Sequence, residues 1–442
     1  MSGPKAQSRK AKDAAFGRPE VNLNLWVRGL APSATVAINE RSDQLRAEGR
    51  RVFKLGLGQS PFPVPEPVVQ ALRDHAAEKD YLPVRGVRPL REAIAGYLRR
   101  EFGVDRSADR VLLGPGSKEL MFLLQLVYYG DLVIPSPAWV FYAPQAEIIG
   151  RRVRLVQTRA EEGWRLTAER LDALCRIDLS RPRVVILTYP SNPTGLTYTA
   201  DALAELAEVA RRYRVILLFD EIYGELHHLG GHVSVAPFYP EGTIVSGGLS
   251  KWCGAGGWRL GFFVYPDGLG WLLDAMAVVA SETFTSTSAP IQYAAVRAFQ
   301  DGPEIAAYLT ATRQLLRALG GLSAARLRAA SLAVADPKSA FYLFPDFGPH
   351  RRALAARGLA DSRALCERLL EDTGVAVLPG ADFGRPEEEL TARLAYVDFD
   401  GAAALAALAG LPAGAEPDEP LLRAACGGVL TAIDRIGDWL AG

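Results

Sequence analysis

Residues 246–261 read SGGLSKWCGAGGWRLG. Gly247, Gly248, Gly254, Gly256 and Gly257 crowd around Ser250-Lys251, and Arg259 follows the lysine by eight positions inside Gly257-Trp258-Arg259-Leu260-Gly261. Glycine permits left-handed backbone and close approach to a ligand. The run Arg259–Tyr265, RLGFFVY, reads as a strand. A lysine held in such a loop beside a serine and an arginine is an amine nucleophile next to an anion site. The same stretch also reads as a glycine-rich turn with solvated charges, and the surrounding chain decides between the two.

Working outward, apolar β-rich runs predict strands at Arg110–Leu113, Asp131–Ile134, Val153–Gln157, Arg183–Thr188, Arg214–Phe219 and Thr243–Ser246. Helical patterns separate them, among them GPGSKELMFLLQLVYY after a glycine loop, Glu169–Ile177 and Ala200–Tyr213. Continuous apolar strands alternating with helices imply an α/β fold with a mostly parallel sheet covered on both faces. Upstream, Thr35–Ala47 and Pro67–Glu78 read as helices, and Phe53–Gly58 as a short strand. Gly270–Phe299 reads as helical with a break around SETFTSTSAP. Beyond it, long helices (Ile305–Leu319, Arg363–Thr373, Leu421–Leu440) alternate with short strands (Ser331–Val334, Ala340–Leu343, Val375–Val377, Ala392–Tyr396), an α+β pattern. The expected division is a disordered tail at 1–20, an N-terminal arm and part of the small domain at 21–60, a large domain at 61–300 and a small domain at 301–442.

Length and charge narrow the function classes. A chain of 442 residues suits two or three domains. Lys plus Arg and Asp plus Glu balance at 50 each, so charge gives no argument for nucleic acid or an anionic membrane. Cys175, Cys253, Cys366 and Cys426 are scattered without CxxC spacing, which argues against a disulfide framework or a zinc site and for a reducing, cytoplasmic setting. No apolar run reaches membrane-spanning length. The first twenty residues lack the apolar segment of a secretory signal; a disordered tail is favoured over a transit peptide because the segment is short and contains Asp13.

In an open parallel sheet, ligands sit at the carboxyl ends of strands, and the residues at those ends form a set. Gly114-Pro115-Gly116-Ser117-Lys118 leads into a helix, which suits a phosphate or an ordinary turn. Pro135-Ser136-Pro137-Ala138-Trp139 offers an aromatic that either stacks on a ring or packs in the core. Ser191-Asn192-Pro193-Thr194-Gly195 directs an amide into the crevice. Phe219-Asp220-Glu221-Ile222-Tyr223 puts an acid at the end of an apolar strand, where burial demands a partner such as a protonated ring nitrogen, unless the acid caps a helix. Arg393, in the apolar run LTARLAY, suits bidentate carboxylate binding or a structural ion pair.

Taken in order, NPTG, FDEIY, SK with GWRLG eight residues on, and the late strand arginine resemble the class I/II aminotransferases, fold-type I pyridoxal phosphate enzymes. The motifs run from about Gly58 to Arg393. The resemblance implies a large domain with a seven-stranded, mostly parallel sheet and a smaller α+β domain. It implies pyridoxal 5'-phosphate carried on Lys251 as an imine, with the freed amine moving the Cα proton. It implies Asp220 at the pyridine nitrogen, Tyr223 and Asn192 at the phenolic oxygen, and Trp139 on the ring. Ser117, the Lys118 backbone, Ser250 and Arg259 would hold the phosphate. Arg393, Asn192 and the Gly58 backbone would hold the substrate α-carboxylate. Tyr81, in DYLPVRG, would reach the phosphate of a neighbouring subunit, which implies a homodimer with shared sites.

The chain departs from the pattern at three positions. Gly248 stands where the family has Ser or Thr, so a phosphate hydroxyl is missing and Ser246 or a water is expected to replace it. Ser339 replaces a common glycine and Asp382 a common small residue. Lys118 matches a lysine that binds the distal carboxylate in bacterial-type aspartate and aspartate/prephenate aminotransferases, which implies aspartate or glutamate as donor; alternatively it is solvated or pairs with Glu119 or the phosphate. The same motifs would also serve a β-lyase, a decarboxylase or an aminocyclopropane carboxylate synthase-like enzyme. A non-catalytic regulator is disfavoured, because the tail is too short for a DNA-binding module. His227-His228 and His232 invite a metal reading, but without an accompanying acidic or cysteine cluster they read as a surface loop, and no metal is expected.

Overall fold

The computed structural model describes residues 22–28, 34–412 and 414–442; the expected 1–20 tail lies outside them. Seven strands form the central sheet: β1 Val111–Gly114, β2 Asp131–Ser136, β3 Val153–Gln157, β4 Arg183–Thr188, β5 Ile216–Asp220, β6 Thr243–Gly248 and β7 Gly261–Val264. Their spatial order is β1-β7-β6-β5-β4-β2-β3. Pairing is parallel from β3 through β6, while β7 runs antiparallel to both β6 and β1. This is the mostly parallel α/β sheet that the apolar strand runs predict. Helices Ser117–Val127 and Gly270–Thr283 bury one face, and Ala168–Arg176 and Ala200–Arg212 bury the other.

The order reverses between β4 and β5 on one side and β2 on the other, so the crevice lies where Ser136, Thr188, Asp220 and Gly248 end their strands. Thr188, Asp220 and Ser246 are neighbours across β4, β5 and β6. A row of glycines crosses the adjoining edge: Gly114 pairs with Gly261, and Gly261 with Gly248. A Cβ at Gly261 would lie 2.1 Å from the Ser117 nitrogen, so the glycine lets the helix N-terminus press onto the sheet.

The C-terminal part builds a second layer. Tyr342–Leu343, Ala392–Ala395 and Leu378–Pro379 form a three-stranded antiparallel sheet, and Val375–Ala376 pairs with Phe53–Lys54. Helices Pro303–Ala329, Ser362–Thr373 and Glu419–Ala441 cover it. The first of these runs ten residues past the expected Leu319, through Gly320 and Gly321. Gly320 is needed there because a Cβ would lie 2.7 Å from the Tyr396 hydroxyl.

Several expected boundaries move for physical reasons. The strand expected at Phe53–Gly58 ends at Lys54, because the carbonyls of Leu55, Gly56 and Gly58 turn to Ala395, Arg393 and Lys251 instead of to one partner strand. The helix expected at Pro67–Glu78 is Glu66–Asp74, with proline in its first turn. Ser331–Val334 contributes only the single bridge Ala333 to Asp346. β5 starts two residues later than expected, after Arg214 at φ 52, and β7 starts after Arg259 at φ 55.

Candidate active site

At the crevice a cavity of about 450 Å³ is lined by ten of the expected residues: Gly58, Ser117, Lys118, Trp139, Asn192, Asp220, Tyr223, Ser250, Lys251 and Arg259. Two expected residues are elsewhere. Tyr81 is 93% exposed and off this wall, and Arg393 is buried just behind it.

Asp220 ends β5 with its carboxylate buried. Ser246, its neighbour on β6, donates a hydrogen bond to Oδ1 at 2.9 Å. Burial raises the Asp220 carboxyl to about 7, against the opposing pull of Ser246 and of Lys251. Lys251 follows β6 by three residues, and its Nζ donates to the Gly58 carbonyl at 2.6 Å. Burial lowers the lysine to about 8; Arg393 adds to this and Asp220 opposes it. The lysine is thus unprotonated for a substantial fraction of the time at mildly basic pH, as a carbonyl-attacking amine must be.

The cation wall is built by glycine. Arg259 takes its left-handed backbone and turns its guanidinium back onto the Ser117 helix, donating to Gly256 O at 2.8 Å and Pro115 O at 3.3 Å. Gly116, at φ 86, makes room for it: a Cβ there would lie 2.2 Å from Arg259 Nη2. Ser250 and Ser117 flank the same corner. Ser246 does not replace the hydroxyl missing at Gly248, because it is wholly buried on Asp220. Gly248 itself has no space for a side chain: a Cβ would lie 2.7 Å from the Leu260 carbonyl.

Trp139 contacts Phe141 and the edge of Tyr142, whose hydroxyl is 2.7 Å from Thr188 Oγ1. Asn192 is buried with Oδ1 lacking a hydrogen-bond partner, and Gly195 ends its turn at φ 69 against the Tyr342 carbonyl. Lys118 Nζ lies 3.3 Å from the centre of the Phe141 ring, and burial followed by the Arg259 charge lowers it. Among the described residues no carboxylate pairs with it, so the Glu119 alternative does not hold. Arg393 donates to the Gly56 carbonyl between the rings of Tyr342 and Phe383, at 5.0 and 5.2 Å, with its Nε unpartnered. It has no ion pair among the described residues; Asp382 pairs with Arg363 instead.

Sequence reasoning missed Tyr342, whose hydroxyl is 2.7 Å from that of Tyr223. Nothing in SAFYLF separates it from a core tyrosine, since its meeting with Tyr223 depends on a strand register set by Arg393's own strand. The histidine reading also needs correction. His228 and His232 are buried, with His228 Nε2 3.0 Å from Ala340 O and His232 Nε2 2.9 Å from Glu221 Oε2. Glu221, buried next to Asp220, requires such a partner, and Ser234 supplies a second at 2.7 Å. Ser339 donates to the Tyr223 carbonyl at 3.2 Å. Among the described residues no cluster of three or more histidine, cysteine or acidic side chains could hold a metal.

Comparison with known proteins settles the family. Residues 50–397 match the model for aminotransferase class I and II. The chain belongs to that family. This aminotransferase is 30% identical to the aspartate aminotransferase of Bacillus sp. (strain YM-2) over 84% of its own length and 93% of the relative's. It is 33% identical to the aspartate/prephenate aminotransferase of Thermus thermophilus over 82% and 91%. The solved aspartate aminotransferase from Thermus thermophilus with maleate superposes with a TM-score of 0.80 at 30% identity, covering 95% of this chain and 99% of that one. The protein is therefore a pyridoxal phosphate-dependent transaminase of amino acids on the fold-type I architecture.

Proposed function

We propose that this aminotransferase moves the amino group of an acidic donor, aspartate or glutamate, to a 2-oxo acid, alternating between two half-reactions at the Lys251 cavity. The observation that carries the placement is Lys251: a half-buried amine, lowered to about 8 and donating to the Gly58 carbonyl, in one cavity with the buried Asp220 carboxyl and the Arg259 corner. These residues fit pyridoxal phosphate. Asn192 is buried with its amide oxygen unpartnered, Ser117, Ser250 and Arg259 line the same cavity as Asp220 and Lys251, and a Cβ at Gly116 would intrude on the Arg259 guanidinium.

When bound, the cofactor supplies an electron sink for the Cα–H bond. The chain does the rest. Asp220 would keep the ring nitrogen protonated, and Tyr223 and Asn192 would hydrogen-bond the ring oxygen. Ser117 and Ser250 would donate hydrogen bonds to the phosphate, Arg259 would offset its charge, and Trp139 would cover the ring. Lys251 would take and return the Cα proton, while Arg393, Asn192 and Gly58 would fix the α-carboxylate. Lys118, with no carboxylate partner among the described residues, would meet the distal carboxylate. The dicarboxylate in the name of the Thermus structure and the aspartate in the relatives' names support that reading.

We place the domain division at 61–300 and at 21–60 with 301–442, since Phe53–Lys54 pairs with Val375–Ala376. A homodimer is proposed, with the exposed Tyr81 reaching the partner's phosphate, and a cytoplasmic location; no described helix is long and apolar enough to cross a membrane. The test of the substrate is Lys118→Ala, assayed on aspartate and on alanine. The variant should lose at least about tenfold more kcat/KM on aspartate; an equal loss on both sinks the acidic-donor reading.

A further inference from the structure

Tyr342 touches three parts of the site at once. Its hydroxyl is 2.7 Å from the Tyr223 hydroxyl. The same oxygen sits against Gly58, where a Cβ would lie 2.0 Å away, and the Gly58 carbonyl is the acceptor of Lys251 Nζ. Its ring carries the Arg393 guanidinium 5.0 Å from the centroid. Both tyrosines are almost fully buried, so water does not compete for these contacts.

The direction of the tyrosine–tyrosine bond follows from what Tyr223 must do. A phenol has one proton. If Tyr223 gives its proton to a ring oxygen in the cavity, its own oxygen can only accept from Tyr342. Tyr342 is the one side chain that hydrogen-bonds the Tyr223 hydroxyl among the described residues. A donor that itself accepts a hydrogen bond is polarised into a stronger donor, and the Arg393 cation over the Tyr342 ring favours Tyr342 as the giver.

We propose that Tyr342 is a positioning residue of the transamination site: its hydroxyl aims and strengthens the Tyr223 donor, and its ring braces Arg393 and the Gly58 carbonyl. The proposal rests on the roles given above to Tyr223 and Arg393. It makes one side chain of the C-terminal layer common to the cofactor's oxygen and the substrate's α-carboxylate.

The test uses the loaded enzyme and two variants with different losses. Tyr342→Phe keeps the ring and removes the hydroxyl. The absorbance titration of the lysine-bound cofactor should move to higher pH by about half a unit, because the ring oxygen loses part of its donor. KM for the amino donor should stay within about twofold. Tyr342→Leu removes the ring as well, and KM should rise about fivefold further. Tyr223→Phe is the reference and should move the titration more than Tyr342→Phe. Unfolding midpoints confirm that each variant is folded. If Tyr223→Phe moves the titration and Tyr342→Phe leaves it in place, the positioning role is overturned. If neither moves it, the reading of Tyr223 falls, and the proposal falls with it.

Discussion

Asp220→Asn should make the cofactor-free protein more stable while abolishing transamination. The carboxyl of Asp220 sits at about 7, against an ordinary 3.8, because burial penalises its charge. That is roughly three units, and at ~1.4 kcal/mol per unit the ionised form costs the apo fold about 4 kcal/mol. The sign follows from linkage. The folded-state value is raised, so the contribution is fully favourable below the unfolded value near 4. It is lost as pH rises through about 7, and it is constant above that. Asparagine keeps the shape and can still accept from Ser246 and from the Ile222 backbone. The value of about 7 already includes the pull of Lys251, and the buried amide keeps a desolvation cost of its own, so the net gain is on the order of 2–4 kcal/mol. Urea unfolding of stripped wild type and variant measures it. The variant's advantage should roughly double between about pH 5.5 and pH 8 and then stay flat. Adding pyridoxal phosphate should reverse the order, since only the carboxylate can hold a protonated ring nitrogen. A variant that is no more stable than wild type at pH 8, with unchanged pH dependence, would refute the reasoning.

Two further outcomes probe the surroundings. Gly248→Ser places the hydroxyl that the family usually has, yet its Cβ would meet the Leu260 carbonyl at 2.7 Å; it should weaken folding by about 1–3 kcal/mol and fail to tighten cofactor binding, measured by urea unfolding and by fluorescence titration. His232→Leu leaves Glu221 buried with Ser234 as its remaining side-chain partner, and should destabilise the protein by about 3 kcal/mol in the same unfolding assay, where a surface-loop histidine would change it by under about half of one.

Most of the large sheet was legible because its central strands are buried on both faces, so β4 and β5 carry the apolar runs VVIL and ILLF, while the edge strand β3 is only half-buried. The site was legible where a polar residue interrupts such a run at its end, as Asp220 and Asn192 do. Lys251 was legible through its glycine-rich frame. What could not be read depends on contacts distant in sequence. Tyr342 gains its meaning from Tyr223, and Ser246 from facing Asp220 across a strand pair. His232 was misread because Glu221, eleven residues earlier, is buried with it. Short strands such as Leu378–Pro379 escaped because two residues carry no period.

The central claim is that Lys251 carries the cofactor, and chemical trapping tests it most directly. Protein loaded with pyridoxal phosphate is reduced with borohydride, digested and mapped by mass spectrometry. The account predicts one phosphopyridoxyl group per chain, on Lys251, and none when an amino donor is added in excess before reduction. A label on Lys118 or another lysine, or no stoichiometric label at all, would contradict it.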